Sequence, residues 1–292
     1  MSDSTSNPRL RIAAINFLNP APLLYNFEHS PQREQLASRY AVSYTLPSAC
    51  AAQLASGEAD LGLIPIAAMA TIPDLSAVPR CVIASLNEVR SIQLIVRHNN
   101  GIQAIRTLAA DTASRSSIAY VQILLRKYYG IEPELIPSEA DVETMLTIAD
   151  AAIVIGDPAL LAIENRTAIE TSIGQPLLWI DVAAEWRART GLPWVAAVWA
   201  VRNDAFGRTS TTPAQLIEDL QQSRDNGLAN IDTIVQDWEP LLPLSSATLH
   251  HYLTENIHYT LDDDCAAAIE LFYKLAAEYE ILPAYHLSML RQ

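Results

Sequence analysis

The chain has 292 residues, half of them hydrophobic, which suffices for a sizeable core and excludes general disorder. Its 33 acidic and 19 basic residues leave a net charge of -14, which argues against a nucleic-acid or anionic-membrane surface, since both want basic patches. A small anionic ligand stays allowed, but local donors must hold it against that field. The cysteines, Cys50, Cys81 and Cys265, are odd in number, widely spaced and without a CxxC, so reduced buried thiols are expected and neither a disulfide framework nor a zinc site is.

The polar N-terminus from Met1 to Arg9 lacks the apolar core of a secretory signal, and no stretch has the length and apolarity of a transmembrane helix; the expected location is cytoplasmic. Leu10 to Phe17 reads as a first buried strand that runs into Leu18-Asn19-Pro20-Ala21-Pro22, where prolines end it and open a helix. Asn19 then lies at the carboxyl edge of the strand, where ligands of open α/β sheets gather. Tyr40 to Leu46 alternates as a strand, Pro47-Ser48-Ala49 opens a helix that Gly57 ends, and Ala59 to Ile66 is a short apolar third strand. Val78 to Ala84 and Ser91 to Val96 are two further strands, separated by Ser85 to Arg90.

The stretch from Asp111 to Ile131 organises the rest. Its predicted plan is strand, tight turn, helix, with Gly130 at the helix C-cap. The turn carries Thr112, Ser114, Arg115, Ser116 and Ser117. A helix N-terminus leaves backbone N–H groups free, so the turn suits an anion. Ser114 as a plain N-cap is the competing reading, and the turn alone does not choose. A strand is then predicted at Glu134 to Ile136, a helix at Ala140 to Ile148, and a strand at Ala151 to Ile155 ending in Gly156-Asp157-Pro158; Trp179 to Asp181, a helix turn at Ala183 to Arg189 and a central strand at Val195 to Val201 follow. After Val201 the pattern is helical only, at Pro213 to Ser223, Ile231 to Glu239, Ser246 to Glu255 and Asp262 to Ile281. Strand alternating with helix implies an α/β fold with parallel crossovers. Two α/β blocks without a linker suggest two lobes joined by strands. The crossings are expected near Ser91 and Trp199, giving one lobe at 8–92 and 199–292, an inserted lobe at 93–198, and a ligand cleft between them.

There is no GxGxxG after a strand, no phosphate loop, no HExxH and no GxSxG elbow. The six histidines show no ligand spacing within the α/β blocks and are expected to be structural or superficial. Asp60, Asp111, Asp157 and Asp181 fall at predicted strand ends, where capping the next helix or pairing with arginine accounts for them; Asp157 is the one most expected to face a cleft.

Several segments together resemble one family: Asn16-Phe-Leu-Asn19-Pro-Ala-Pro-Leu, Gly57-Glu-Ala-Asp-Leu-Gly-Leu-Ile-Pro65, Val89-Arg-Ser91, Asp111 to Ser117, Ile155-Gly156-Asp157, and Glu185-Trp186 through Thr190-Gly191-Leu192-Pro193. They are similar to chorismate dehydratase of the futalosine route to menaquinone, over nearly the whole chain. The resemblance implies a type II periplasmic-binding-protein fold used as a cytoplasmic enzyme, with two α/β lobes and a helical C-terminal segment. It implies dehydration of chorismate to 3-[(1-carboxyvinyl)oxy]benzoate with no cofactor and no metal, by a monomer or homodimer. By the same resemblance Asn19 and Ser91 would act on the reacting ring, and Ser48, Pro65, Ile66, Ser85, Ser114, Arg115, Ser116, Ser117, Gly156 and Asp157 would bind substrate. Two positions depart from the family pattern: Ile66 stands where a polar residue is expected, and Asn16 replaces a small hydroxyl residue. No histidine or lysine lies in these motifs, so the substrate's own enolpyruvyl carboxylate is the expected base. The rivals are a solute-binding protein of the same fold, the sister 1,4-dihydroxy-6-naphthoate synthase, for which a cleft histidine is expected, and a ligand-sensing regulator domain.

Overall fold

The computed structural model describes residues 8–97, 101–111 and 115–291. Among them run β1 (Leu10–Ile15), β2 (Tyr40–Thr45), β3 (Leu61–Pro65), β4 (Leu75–Ser85), β5 (Ile92–Arg97), β6 (Thr107–Asp111), β7 (Glu134–Ser138), β8 (Ala151–Ile155), β9 (Leu177–Asp181) and β10 (Trp194–Arg202). They form two five-stranded sheets, ordered β2-β1-β3-β10-β4 and β7-β6-β8-β5-β9. Both follow one plan. The first three positions are parallel, and the fourth strand runs antiparallel to its neighbours on either side. Central strands are covered on both faces, so they read as unbroken apolar runs: β3 is buried throughout and β10 nearly so. The edge strand β2 keeps exposed positions at Ser43 and Tyr44.

The chain crosses between the sheets twice, from β4 to β5 through 86–91, and again just before β10. The first crossing ends at Ser91, next to β5. The second precedes Trp194, not Trp199, because β10 pairs with β4 from Trp194 onward and with β3 from Ala197. Nothing inside that apolar run breaks the strand; the punctuation lies upstream, where the helix Val182–Thr190 ends at Gly191 and Pro193 follows. Two helices of eight or more residues escaped the sequence reading, Gly156–Glu164 and Arg166–Ile173. The second fully buries no residue and leans on the core only through Ile169 and Ile173.

The helix Ala21–Glu28 starts behind Pro20 with Pro22 in its first turn, and packs on Pro213–Ala229, where Asn26 N–H donates to Ser223 Oγ at 3.0 Å. A buried aromatic cluster joins the two halves. Tyr120 meets Trp186 at 4.7 Å between ring centroids, Phe272 at 4.5 Å and Trp194 at 5.6 Å. The cluster supports the helix Arg115–Leu124 from below, which fixes where that helix aims its first turn. The acidic strand-end residue Asp60 is structural. Burial pushes its carboxyl up, but Arg11 and Arg208 at 2.7 and 3.0 Å outweigh this, and the net pKa lies below the ordinary value.

Candidate active site

The carboxyl ends of the parallel strands β1, β3, β6 and β8 point at one cleft between the sheets, as expected for open α/β sheets. From the first sheet come Phe17 and Asn19 beyond β1, Pro65 at the end of β3, and Trp194 with Ala197 on β10. From the second come Arg115, Ser116 and Ser117 beyond β6, and Ile155 with Gly156 beyond β8; Ser91 and Ile92 sit on the crossing. The cleft is narrow, with about 70 Å³ of water-accessible space between its walls.

Ser91 is fixed by its backbone and its side chain. Its N–H donates to Val89 C=O and its C=O accepts from Gly156 N–H, both at 2.7 Å, while Oγ accepts from Tyr252 O–H at 2.8 Å. The preceding Arg90 has φ +60°, a left-handed conformation that costs a non-glycine residue about 1–3 kcal/mol. Asp181 holds it there. Its carboxylate caps the next helix through Ala184 N–H at 3.0 Å and also accepts from Arg90 N–H at 2.6 Å and Gln93 Nε2 at 3.1 Å. Burial raises the Asp181 carboxyl pKa despite these donors.

Ser116 Oγ accepts from Ala67 N–H at 3.1 Å, which ties the first turn of Arg115–Leu124 to the turn after β3 across the cleft. Ser117 is buried beside it and Arg115 is exposed at the mouth. Ser114 lies outside the described residues. On the opposite wall, Asn19 Oδ1 is buried without a hydrogen-bond partner, as is Trp194 Nε1. An unpaired buried polar atom costs about 1–3 kcal/mol unless something bonds it. Gly156 has φ +65°, and a Cβ there would stand 3.1 Å from Phe17 Cε2, so both backbone and space demand glycine.

Four residues of the expected binding set stand outside the lining. Ser48 is half-buried in the helix Pro47–Ser56. Ile66 is fully buried and offers its carbonyl to Tyr273 O–H at 2.8 Å, so its side chain does not face the cleft and its departure from a polar residue leaves the cleft wall unchanged. Ser85 is buried and donates to Glu88 C=O at 2.9 Å, bracing the crossing. Asp157 sits behind Gly156 and accepts from Leu18 N–H at 3.4 Å; burial pushes its pKa up to about 6.

That displacement, from 3.8 to about 6, is a stability statement. A carboxyl whose pKa rises on folding opposes folding once ionised. Below pH 3.8 it is protonated in both states and costs nothing; the cost grows as pH rises and is complete above about 6, at roughly 3 kcal/mol. Asp157→Asn keeps the shape and the Leu18 contact. We expect it to raise Tm above pH 7 relative to the wild type, with the gain shrinking as pH falls from 6 towards 4. Thermal melts of both proteins across that range check the sign, and a variant less stable at neutral pH overturns it.

The sequence reading missed Phe17, Trp194 and Tyr252. Trp194 opens an apolar strand, and Tyr252 lies in the helical tail 161 residues from its partner Ser91, so neither carries a local signal. Among the described histidines, His258 stands within 4.8 Å of Asp262 and Cys265, measured between possible ligand atoms. Helix capping accounts for that group: Asp262 Oδ1 accepts from Cys265 N–H at 2.8 Å and its Oδ2 pairs with His258 at 2.9 Å. No described helix is long and apolar enough to cross a membrane.

A family model described as menaquinone biosynthesis matches residues 10–278. A curated relative, the chorismate dehydratase of Thermus thermophilus, is 28% identical over 242 residues, spanning 80% of this chain and 85% of that protein. Among solved structures, a protein of Archaeoglobus fulgidus superposes with TM-score 0.71 at 12% identity, over 96% of this chain and 100% of that one. The periplasmic aliphatic sulphonate binding protein of Escherichia coli superposes with TM-score 0.62 at 14% identity, over 97% and 94%. At such identities these structures speak for the fold, which is periplasmic-binding-protein-like.

Proposed function

Because the chain belongs to the menaquinone biosynthesis family, we propose that it is a hydro-lyase that converts chorismate to 3-[(1-carboxyvinyl)oxy]benzoate and water. The observation that carries this reading is the cleft itself, where Asn19 and Ser91 stand opposite the serine turn at the start of Arg115–Leu124. Chorismate is a dianion. Ser116, Ser117, the first-turn N–H groups of that helix and Arg115 suit one carboxylate, and they supply donors locally in a chain whose net charge is -14. Pro65 and Gly156 close the walls against the ring.

The reaction removes one ring proton and the ring hydroxyl and leaves an aromatic ring, so gained aromaticity drives it. In our reading the enolpyruvyl carboxylate takes the neighbouring ring proton, the ring electrons expel the hydroxyl, and the proton passes to the departing hydroxyl, which leaves as water. Asn19 and Ser91 hydrogen-bond that hydroxyl as negative charge builds on it, and holding the carboxylate over the proton supplies much of the rate.

A second reading gives the proton to Asp157, because a carboxyl held near pH 6 is matched to base catalysis at neutral pH. Its place behind Gly156, outside the lining, favours the first. Incubating the protein with chorismate and following ultraviolet absorbance and mass tests the reaction, with loss of one water and an aromatic product expected. Unchanged chorismate with tight binding of another small anion turns the reading to a binding protein or the sister naphthoate synthase. Asp157→Asn separates the bases: turnover within a few-fold of wild type supports the substrate carboxylate, whereas abolished turnover with binding intact supports Asp157.

A further inference from the structure

Resting on the dehydratase reading, we propose that Tyr252, from the helical tail, is a positioning residue that makes Ser91 a hydrogen-bond donor into the cleft. The tail segment grips the first crossing at three points. Tyr252 O–H reaches Ser91 Oγ at 2.8 Å, Asn256 Nδ2 donates to Glu88 C=O at 3.2 Å, and His258 exchanges backbone hydrogen bonds with Ala84 at 2.8 and 2.9 Å. The tail is wound to do this. Ile257 N–H bonds back to Tyr252 C=O at 3.2 Å, a widened turn of the kind often found beside functional sites.

The consequence for Ser91 follows from counting hydrogens. Its backbone N–H and C=O are already engaged, and its hydroxyl carries one hydrogen and an oxygen that accepts. A phenol is the stronger donor of the two hydroxyls and the weaker acceptor, so Tyr252 gives and Ser91 takes. The serine hydrogen must then point elsewhere, and Ser91 lines the cleft. A hydroxyl that accepts one bond also donates the next one more strongly. Tyr252 is buried, and burial together with the nearby Asp157 and Asp181 charges holds its phenol protonated. It therefore orients Ser91 at every working pH and delivers no proton itself.

Tyr252→Phe removes one oxygen from a buried ring and leaves the packing in place. We expect kcat for chorismate to fall up to about tenfold, the worth of one hydrogen bond, with KM within about twofold of wild type. In a Ser91→Ala background the same change should do nothing further. A merely structural tyrosine predicts the reverse, with unchanged kcat in the folded variant, or an equal loss added to that of Ser91→Ala, and either result overturns the inference. Wild-type protein that leaves chorismate intact is a separate outcome. It sinks the reaction itself before any variant is made, and the role of Tyr252 with it.

Discussion

Gly227→Ala should destabilise the protein by about 3 kcal/mol or more, lowering Tm by roughly 5 °C or more. Ordinary helix propensity predicts the opposite sign, since alanine in place of glycine within a helix gains up to about 1 kcal/mol. The contact decides. A Cβ on Gly227 would lie 2.2 Å from the carbonyl oxygen of Pro22 and 2.6 Å from its Cα, both backbone atoms that no rotamer change can move. The helix Pro213–Ala229 would have to back away from Ala21–Glu28. That strains the Asn226–Asn26 side-chain bond at 2.9 Å and the Ser223 hydroxyl that receives Asn26 N–H. Gly207→Ala is the control, because nothing lies within 4 Å of a Cβ there. Equal Tm values for the two variants would refute the close approach. The helix Ala21–Glu28 begins two residues after Asn19, so the same change should also disturb the cleft, and activity should fall more than the unfolded fraction explains.

Most of the fold was legible because its signals are local. Prolines at Pro20 and Pro213, glycines at Gly57 and Gly191 and the apolar runs of β3 and β10 punctuate the chain where the structure does. The second crossing was misplaced because the apolar run of β10 reads alike along its length, while the change of sheet falls before the strand begins. Which sheet Trp194 joins is settled by its pairing with Ser85, more than a hundred residues away. The helix Arg166–Ile173 offered little because only Ile169 and Ile173 pack against the core and neither is fully buried.

The cleft lining was foreshadowed at Asn19, which lies beyond the carboxyl end of β1, and at the turn of Ser116 and Ser117, whereas Ser91 was singled out only by the family resemblance. It was not legible where tertiary contact decides which way a side chain faces. Ser85 and Ser48 follow strand ends too, but one braces a carbonyl and the other sits on a helix outside the lining. Tyr252 reaches the site through the helical tail, which the sequence offered only as periodic helix.

Asn19 and Ser91 should separate stability from activity. Removing either side chain is expected to cut turnover of chorismate by about 10² to 10³, the usual loss when one donor to a developing oxyanion is deleted. Their effects on stability should differ in sign. Asn19 Oδ1 is buried and unpaired in the protein alone, so Asn19→Ala deletes a desolvated atom and should leave Tm unchanged or higher. Ser91→Ala instead strands the Tyr252 phenol, buried and without its acceptor, and should cost about 1–3 kcal/mol. Melts and steady-state assays on the two variants read both quantities. An Asn19→Ala protein that melts lower yet turns over at the wild-type rate would assign the asparagine to the scaffold and leave Ser91 alone with the departing hydroxyl. The expected pattern, stable and inactive, fits an asparagine whose Nδ2 donates to the departing hydroxyl while its buried Oδ1 contributes nothing to the fold.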